Sequence, residues 1–472
     1  MSNQNNFANN IAIDIKKSYL RFPFTFILSA IVSFLGIYFF DILEKNDYIL
    51  KIIISSIISI PFSIAIYLFF ESINYKKYLF LPSLISFVFV TLHFFATKLD
   101  FTNGYYYKIS QLFLIFHLFI SVSPFLFKKD INNFWSFNKN LLHRLILAIL
   151  YSMTLFLGLS FAIFITQYLF DLNYLFPKNI YIKLWFFCAF IFQVSVFILG
   201  IPSSIENIKT YEKYPNGLKT FIQYIFIPLL LLYMIILYFY LGKILLAWNL
   251  PKGQVGWMVS TLGVLGILCI LFLYPVRKSL ETRWSQIFEK YFYILLLPLL
   301  AMLFLGVFTR IYTYGFTENR YFLLLLAFWL LAISLYFKIS KSNNIKIFPI
   351  SLLIALFVSM IGPWGAYQVS ERSQVKIFKE SLANNKILVN GKIQKITQTL
   401  SFEERKRISS LFEYIQNNYG ISSLIEVINN EQLNNLLEKE KVKSNHQEIK
   451  ELFMKEIGIK FIPKWQTKEK VE

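Results

Sequence analysis

Residues 222–242 read IQYIFIPLLLLYMIILYFYLG, twenty-one positions without one charged side chain. An α-helix rises about 1.5 Å per residue and the hydrocarbon of a bilayer is roughly 30 Å thick, so a run of this length matches one crossing. Lipid offers no water to backbone N–H and C=O groups, and a helix satisfies them internally. The run is continuous and not alternating, unlike the roughly ten-residue segments of an outer-membrane barrel. It predicts a transmembrane helix.

The same pattern recurs on both sides of it. Apolar runs of comparable length occupy 22–40, 49–70, 79–97, 107–127, 141–164, 181–201, 256–276, 291–309, 321–337 and 347–366. With 222–242 they predict an all-α, polytopic transmembrane helical bundle of about 11 spans joined by short loops. Of the 472 residues, 56% are hydrophobic and 16% charged, against about 25% charged in ordinary globular domains. A soluble interior has no room for so many Phe, Ile and Leu side chains.

Prolines stand near several span ends, at Pro23, Pro82, Pro124, Pro202, Pro228, Pro275, Pro298 and Pro349. At a helix start the missing N–H costs nothing. Pro61 is more interior and predicts a kink.

The formal charge of +20 first suggests nucleic acid. The basic residues punctuate the apolar runs instead of forming one stripe, so they read as topology determinants facing anionic lipid, with no nucleic acid implied. The N-terminal tail and the alternating loops near 71–78, 128–144, 202–221, 277–290 and 338–346 hold 19 Lys and Arg, and the opposite loops hold 10. Positive-inside bias puts the N-terminus in the cytoplasm, and eleven crossings put the C-terminal region outside it. The first 21 residues lack an export-signal pattern and read as a cytoplasmic tail ahead of a transmembrane domain at 22–366.

Residues 367–472 form a third region, near charge balance with 18 Lys and Arg and 14 Asp and Glu. Val375, Phe378, Leu382 and Ile387 recur at helical spacing, in a helix ending near Asn384–Asn385. Ser401 and Glu404 have capping-box spacing, Ile408, Leu411, Phe412 and Ile415 supply an apolar face, and Gly420 is the expected stop. Two more short amphipathic helices are expected within 421–441 and 446–461. The region reads as a small helical appendage at the membrane surface.

Chemistry-bearing motifs are scarce. His93, His117, His143 and His446 are scattered, and Cys188 and Cys269 lie inside apolar runs, so no metal set is suggested. No catalytic residue and no cofactor-binding loop is recognisable, which leans away from an enzyme. The span interiors lack the acidic series of an obvious proton relay.

Two polar clusters stand beside span ends. One holds Arg310, Tyr312, Tyr314, Thr317, Glu318, Asn319 and Arg320. Here Glu318 has Arg310 and Arg320 as candidate partners, Thr317 is a candidate cap, and the two guanidiniums suit a small anion or an anionic headgroup. The other holds Trp364, Tyr367, Ser370, Glu371, Arg372 and Ser373, where Glu371 is a second candidate partner for Arg310 or Arg320. The plainer readings are a salt-bridged turn and an aromatic-anchored helix exit. Arg283 and Trp284 are expected at the headgroup level on the opposite face, with Arg277, Lys278 and Glu281 beside them. Glu206, Lys209, Tyr211, Glu212 and Lys213, before the turn Pro215-Asn216-Gly217, read as a connection that orients and packs.

Four passages carry a resemblance: ENIKTYEKYPNGLKTFIQYIFIPLLLLY from Glu206, the pair Arg283–Trp284, RIYTYGFTENRYF from Arg310, and GPWGAYQVSERSQV from Gly362. Together they resemble the DUF4153 domain-containing proteins, polytopic bacterial membrane proteins common among Bacteroidota. The resemblance implies a multi-pass protein of the bacterial inner membrane and supplies no reaction. Three functions stay open: a solute or lipid transport or permeation component, a non-enzymatic envelope or signalling component acting through the C-terminal region, and a lipid-modifying enzyme. The corresponding partners are membrane lipids, a small anionic solute or an envelope protein.

Overall fold

The computed structural model describes residues 16–42, 46–73, 80–97, 99, 102–171, 176–177, 179–202, 214, 216–247, 255–276, 283–340, 344–396, 400–420, 422–425, 446–463 and 466. The chain divides into two compact units. One comprises residues 1–99, 109–213 and 344–353, the other 100–108, 214–343 and 354–472.

The helices are α1 (Pro23–Phe39), α2 (Asp47–Ser72), α3 (Phe80–Ala96), α4 (Asn103–Val122), α5 (Ile131–Phe170) and α6 (Ile180–Leu199). They continue with α7 (Gly217–Ala247), α8 (Val255–Leu273), α9 (Arg283–Tyr314), α10 (Glu318–Ile339) and α11 (Ile347–Val358). Among the described residues eight are long and apolar enough to cross a membrane, and α1, α3 and α11 are shorter apolar helices. This is an all-α, multi-spanning membrane protein. Every apolar run of the sequence coincides with one of these helices.

Several runs differ in extent from their helices. The 141–164 run lies inside the 40-residue α5, because Asp130 caps a start ten residues earlier by accepting from Asn133 N at 3.0 Å. The 291–309 run lies inside the 32-residue α9, so Pro298 is interior and not near an end. The 347–366 run ends as a helix at Val358 after 12 residues, about 18 Å. Beyond it the chain turns on itself: Gly362 takes φ +72°, and the Trp364 indole donates to Val358 O at 3.2 Å. Pro61 is interior to α2 as expected, and π-helical turns interrupt α6 at Phe187–Phe192 and α7 at Ile222–Phe226.

In the first unit α1 and α2 pack through small hydroxyl residues. Thr25 and Ser63 share a 2.9 Å hydrogen bond, and Ser29, Ser33, Ser55, Ser56 and Ser59 are buried around them. Small side chains let backbones approach where lipid supplies no hydrophobic drive for association. Arg21 closes one end of this pair by binding Glu71 through two nitrogens, at 2.6 and 2.7 Å, and the Ile201 and Pro202 carbonyls at 3.1 and 2.9 Å. In the second unit α8 does the same with glycine. A Cβ on Gly256 would stand 2.5 Å from Leu323, one on Gly263 2.7 Å from Leu330, and one on Gly266 1.9 Å from the edge of the Phe292 ring.

The C-terminal region holds α12 (Ala366–Asn384), β1 (Leu388–Val389), β2 (Lys392–Ile393), α13 (Phe402–Tyr419), a helical turn at Ser422–Ile425, and α14 (His446–Ile457). The strands pair antiparallel about Asn390 and Gly391, both at positive φ, so the region is not wholly helical. The capping box forms as read: Ser401 Oγ accepts from Glu404 N at 3.3 Å, and Glu404 accepts from Ser401 N at 3.1 Å. These hydrogen bonds hold the Glu404 carboxyl below its ordinary pKa. Gly420 ends α13 at φ +83°. Phe378, Leu382, Ile387, Ile408, Phe412 and Ile415 enter one core with Phe453 and Met454, while Val375 and Leu411 pack at its edge. Most of the helix expected within 421–441 lies outside the described residues.

Candidate functional site

The turn between α9 and α10 is built by Gly315, whose φ of +71° suits glycine. The position also lacks space: a Cβ would run into Ile377 and stand 2.7 Å from Ser373 Oγ. The turn can therefore lie directly on α12. Phe316 N donates to Ser373 Oγ at 2.9 Å, and the buried Gln374 amide donates to the Tyr314 and Phe316 carbonyls at 2.9 and 2.7 Å. The two polar clusters of the sequence thus adjoin, with Tyr321 Oη donating to Trp364 O at 2.8 Å.

The expected ion pairs are replaced by other bonds. Glu318 is 1% exposed, and its Oε2 accepts from Tyr414 Oη at 2.5 Å, so it pairs with neither Arg310 nor Arg320. Glu371 accepts from Ser423 Oγ and likewise pairs with neither. Thr317 occupies the N-cap position of α10 without a side-chain hydrogen bond. Arg372 folds back on Pro363 O and on Gln368 O. Arg320 Nη1 donates to the Tyr314 and Gly315 carbonyls at 3.2 and 2.8 Å, closing the end of α9, and its guanidinium lies 5.5 Å from the Tyr314 ring. A cation there also complements the negative end of the helix dipole.

Glu318 is the acidic centre of a tyrosine cluster that the sequence reading did not assemble. Burial first, then the negative charge of Glu318, pushes the Tyr367, Tyr414 and Tyr419 phenols up. Tyr414 and Tyr419 meet edge to face at 6.1 Å, and Lys108 Nζ stands 5.1 Å from the Tyr367 ring. The bond from Glu318 joins a span end to α13, 96 residues along the chain. Removing the donor leaves a buried carboxylate under-bonded, a loss of about 1–3 kcal/mol. Tyr414→Phe is expected to speed amide exchange in 402–419 several-fold while α8 and α9 stay protected. Unchanged exchange in α13 would show that the bond holds nothing in place.

On the other side of the same turn is a cavity of about 210 Å³. Arg310 of α9 lines it with Thr317, Asn319 and Arg320 of α10 and with Gly256 and Trp257 of α8. A water's share of liquid volume is about 30 Å³, so the space suits a tetrahedral oxyanion or a headgroup phosphate. Neither arginine has an ion-pair partner among the described residues. Two like charges sharing one cavity repel, and an anion between them removes the repulsion.

Trp284 is half-buried in the first turn of α9, while Arg277, Lys278 and Glu281 lie outside the described residues, as do Glu206–Lys213 and Pro215. His93 shares a 2.9 Å hydrogen bond with Ser55, and His117 donates to Phe113 O at 2.8 Å. Among the described residues no group of three His, Cys, Asp or Glu side chains is placed to hold a metal ion.

The profile of a family described as a domain of unknown function, DUF4153, matches residues 22–386. The chain is also similar to an uncharacterized protein of Pasteurella multocida, 26% identical over 389 residues that cover 81% of this chain. It spans 62% of the length of that relative. No solved structure matches.

Proposed function

The chain belongs to the DUF4153 family, and for this multi-spanning bacterial membrane protein we propose a transport or permeation role in which an anionic solute or lipid headgroup meets Arg310 and Arg320. The supporting observation is the 210 Å³ cavity at the ends of three apolar helices, lined by two guanidiniums without a carboxylate partner. Charged side chains beside hydrocarbon are costly and mark binding or permeation sites when they converge.

Proteoliposomes carrying the full chain test this in two arms. One measures exchange of inorganic phosphate, the other transbilayer movement of a fluorescent phosphatidylglycerol. One of the two activities is expected, at least tenfold lower in the double variant R310Q/R320Q. Absence of both in the unaltered protein, or no change in the variant, would sink the reading. A second reading, a signalling or envelope component, draws on the Glu318–Tyr414 bond between a span end and the C-terminal core.

In the proposed topology the eleven apolar runs all cross the inner membrane, the last through α11 together with the turn that follows it to residue 366, residues 1–21 are cytoplasmic, and residues 367–472 lie outside. The tip of the β-hairpin, exposed at Asn390, offers the test. Asn390→Cys, in a background without Cys188 and Cys269, is expected to react with an impermeant maleimide while the inner membrane is intact. Reaction only after lysis would place the region in the cytoplasm and remove one crossing or reverse the orientation.

A further inference from the structure

We infer that the long face of α7 is a binding groove for one anionic glycerophospholipid, its acyl chain along Leu231–Tyr238 and its headgroup at Lys243. This goes beyond the transport reading and shares no lining residue with the arginine cavity.

A groove of about 900 Å³ runs along α7, lined by Leu231, Met234, Tyr238, Gly242 and Lys243 among others of that helix, and by Leu295 of α9. Its depth has a local cause. Gly242 carries no side chain, and nothing stands within 4 Å of where a Cβ would be. Beside it Tyr238 Oη is turned inward to Leu295 O at 2.6 Å, which satisfies the hydroxyl and leaves the ring as an apolar wall. Phe239 and Leu246 flank the opening at 77% and 91% exposure, values that only a lipid or protein neighbour makes tolerable.

Charge chooses between those neighbours. Lys243 is the one ionic side chain of the groove, and it makes no ion pair among the described residues. From Lys243 back to Leu231 is twelve residues, about 18 Å of helix. Half of a ~30 Å hydrocarbon layer is about 15 Å. An ammonium at the headgroup level therefore stands one leaflet away from the far end of the groove, which is the spacing of a phosphate and the tip of its own acyl chain. A second copy of this helix would instead bring a second Lys243 toward the same groove or leave the first without an anion.

Native mass spectrometry of the full chain in detergent, with phosphatidylglycerol and separately with phosphatidylethanolamine, reads the occupant. The unaltered protein is expected to retain one phosphatidylglycerol that Gly242→Trp loses at least tenfold. Lys243→Gln is expected to lower that retention about fivefold and to change phosphatidylethanolamine little. Crosslinking of a diazirine-bearing phosphatidylglycerol to 231–247 should be the same in R310Q/R320Q as in the unaltered chain, whatever lipid that variant loses from the arginine cavity, which separates failure here from failure there. Equal retention in Gly242→Trp overturns the site, as does a dimer that this substitution splits without loss of lipid. A diazirine-bearing phosphatidylglycerol applied to the unaltered chain avoids any folding defect of the variants. Crosslinks within 231–247 support the groove, and crosslinks confined to other helices overturn it.

Discussion

Phe412→Ala is expected to unfold the C-terminal core while leaving the spanning helices intact. The ring is fully buried, stacks on Phe453 at 4.4 Å with 13° between planes, and meets Phe378 at 6.3 Å. Truncating a buried phenylalanine costs about 3–5 kcal/mol, because lost transfer energy is joined by the cavity left behind. A small core has little reserve against that, total stabilities of domains being about 5–15 kcal/mol. Hydrogen exchange of the full chain should show amides of 402–419 and 446–457 losing protection together, with α8 and α9 unchanged. Retained protection in α14 would mean that α13 and α14 do not share one core.

Gly315→Val is the second large effect, and it acts on both sides of the α9–α10 turn. A β-branched residue at φ +71° is strained by about 1–3 kcal/mol. Its side chain also has to displace Ile377 and Ser373, so the turn lifts from α12. The acceptors that fix Arg320 move with it. Thermal melting in detergent is expected to fall by several degrees, and the proposed phosphate exchange or lipid movement by at least tenfold, as in R310Q/R320Q. Normal melting together with normal activity would show that the turn does not position the arginine.

Helices were legible in the sequence because one strong rule governs them. Lipid forces uncharged stretches of about twenty residues, and no competing structure satisfies their backbone. The rule ignores what happens at the ends. It runs the last apolar stretch to residue 366, since residues such as Met360 and Ile361 look alike in a helix and in a packed turn. The turn at Gly362 is set by backbone conformation and by the Trp364 indole. The hairpin at 388–393 had a signal that was passed over: Asn390-Gly391 is the pair favoured in two-residue loops with both φ values positive.

At the site, sequence proximity gave the residues and misassigned their bonds. Arg310, Glu318 and Arg320 stand within eleven positions, and opposite charges that close suggest pairing. The preference lost to geometry, because the start of α10 points Glu318 toward Tyr414 and leaves Arg310 and Arg320 on the cavity. Tyr414 is distant in sequence, and nothing in local pattern announces which face of α13 will meet a span end. The charges were visible; the surface on which each falls was not.

The two guanidiniums differ in how much freedom they keep. Arg320 already donates to two carbonyls, so folding has ordered it before any ligand arrives. Arg310 is exposed and has no such anchor. Immobilising a long side chain costs about 0.5–1.5 kcal/mol at the moment of binding, and here only one of the pair incurs it. In the proposed binding of an anion, Arg320 would be the fixed jaw and Arg310 the free one.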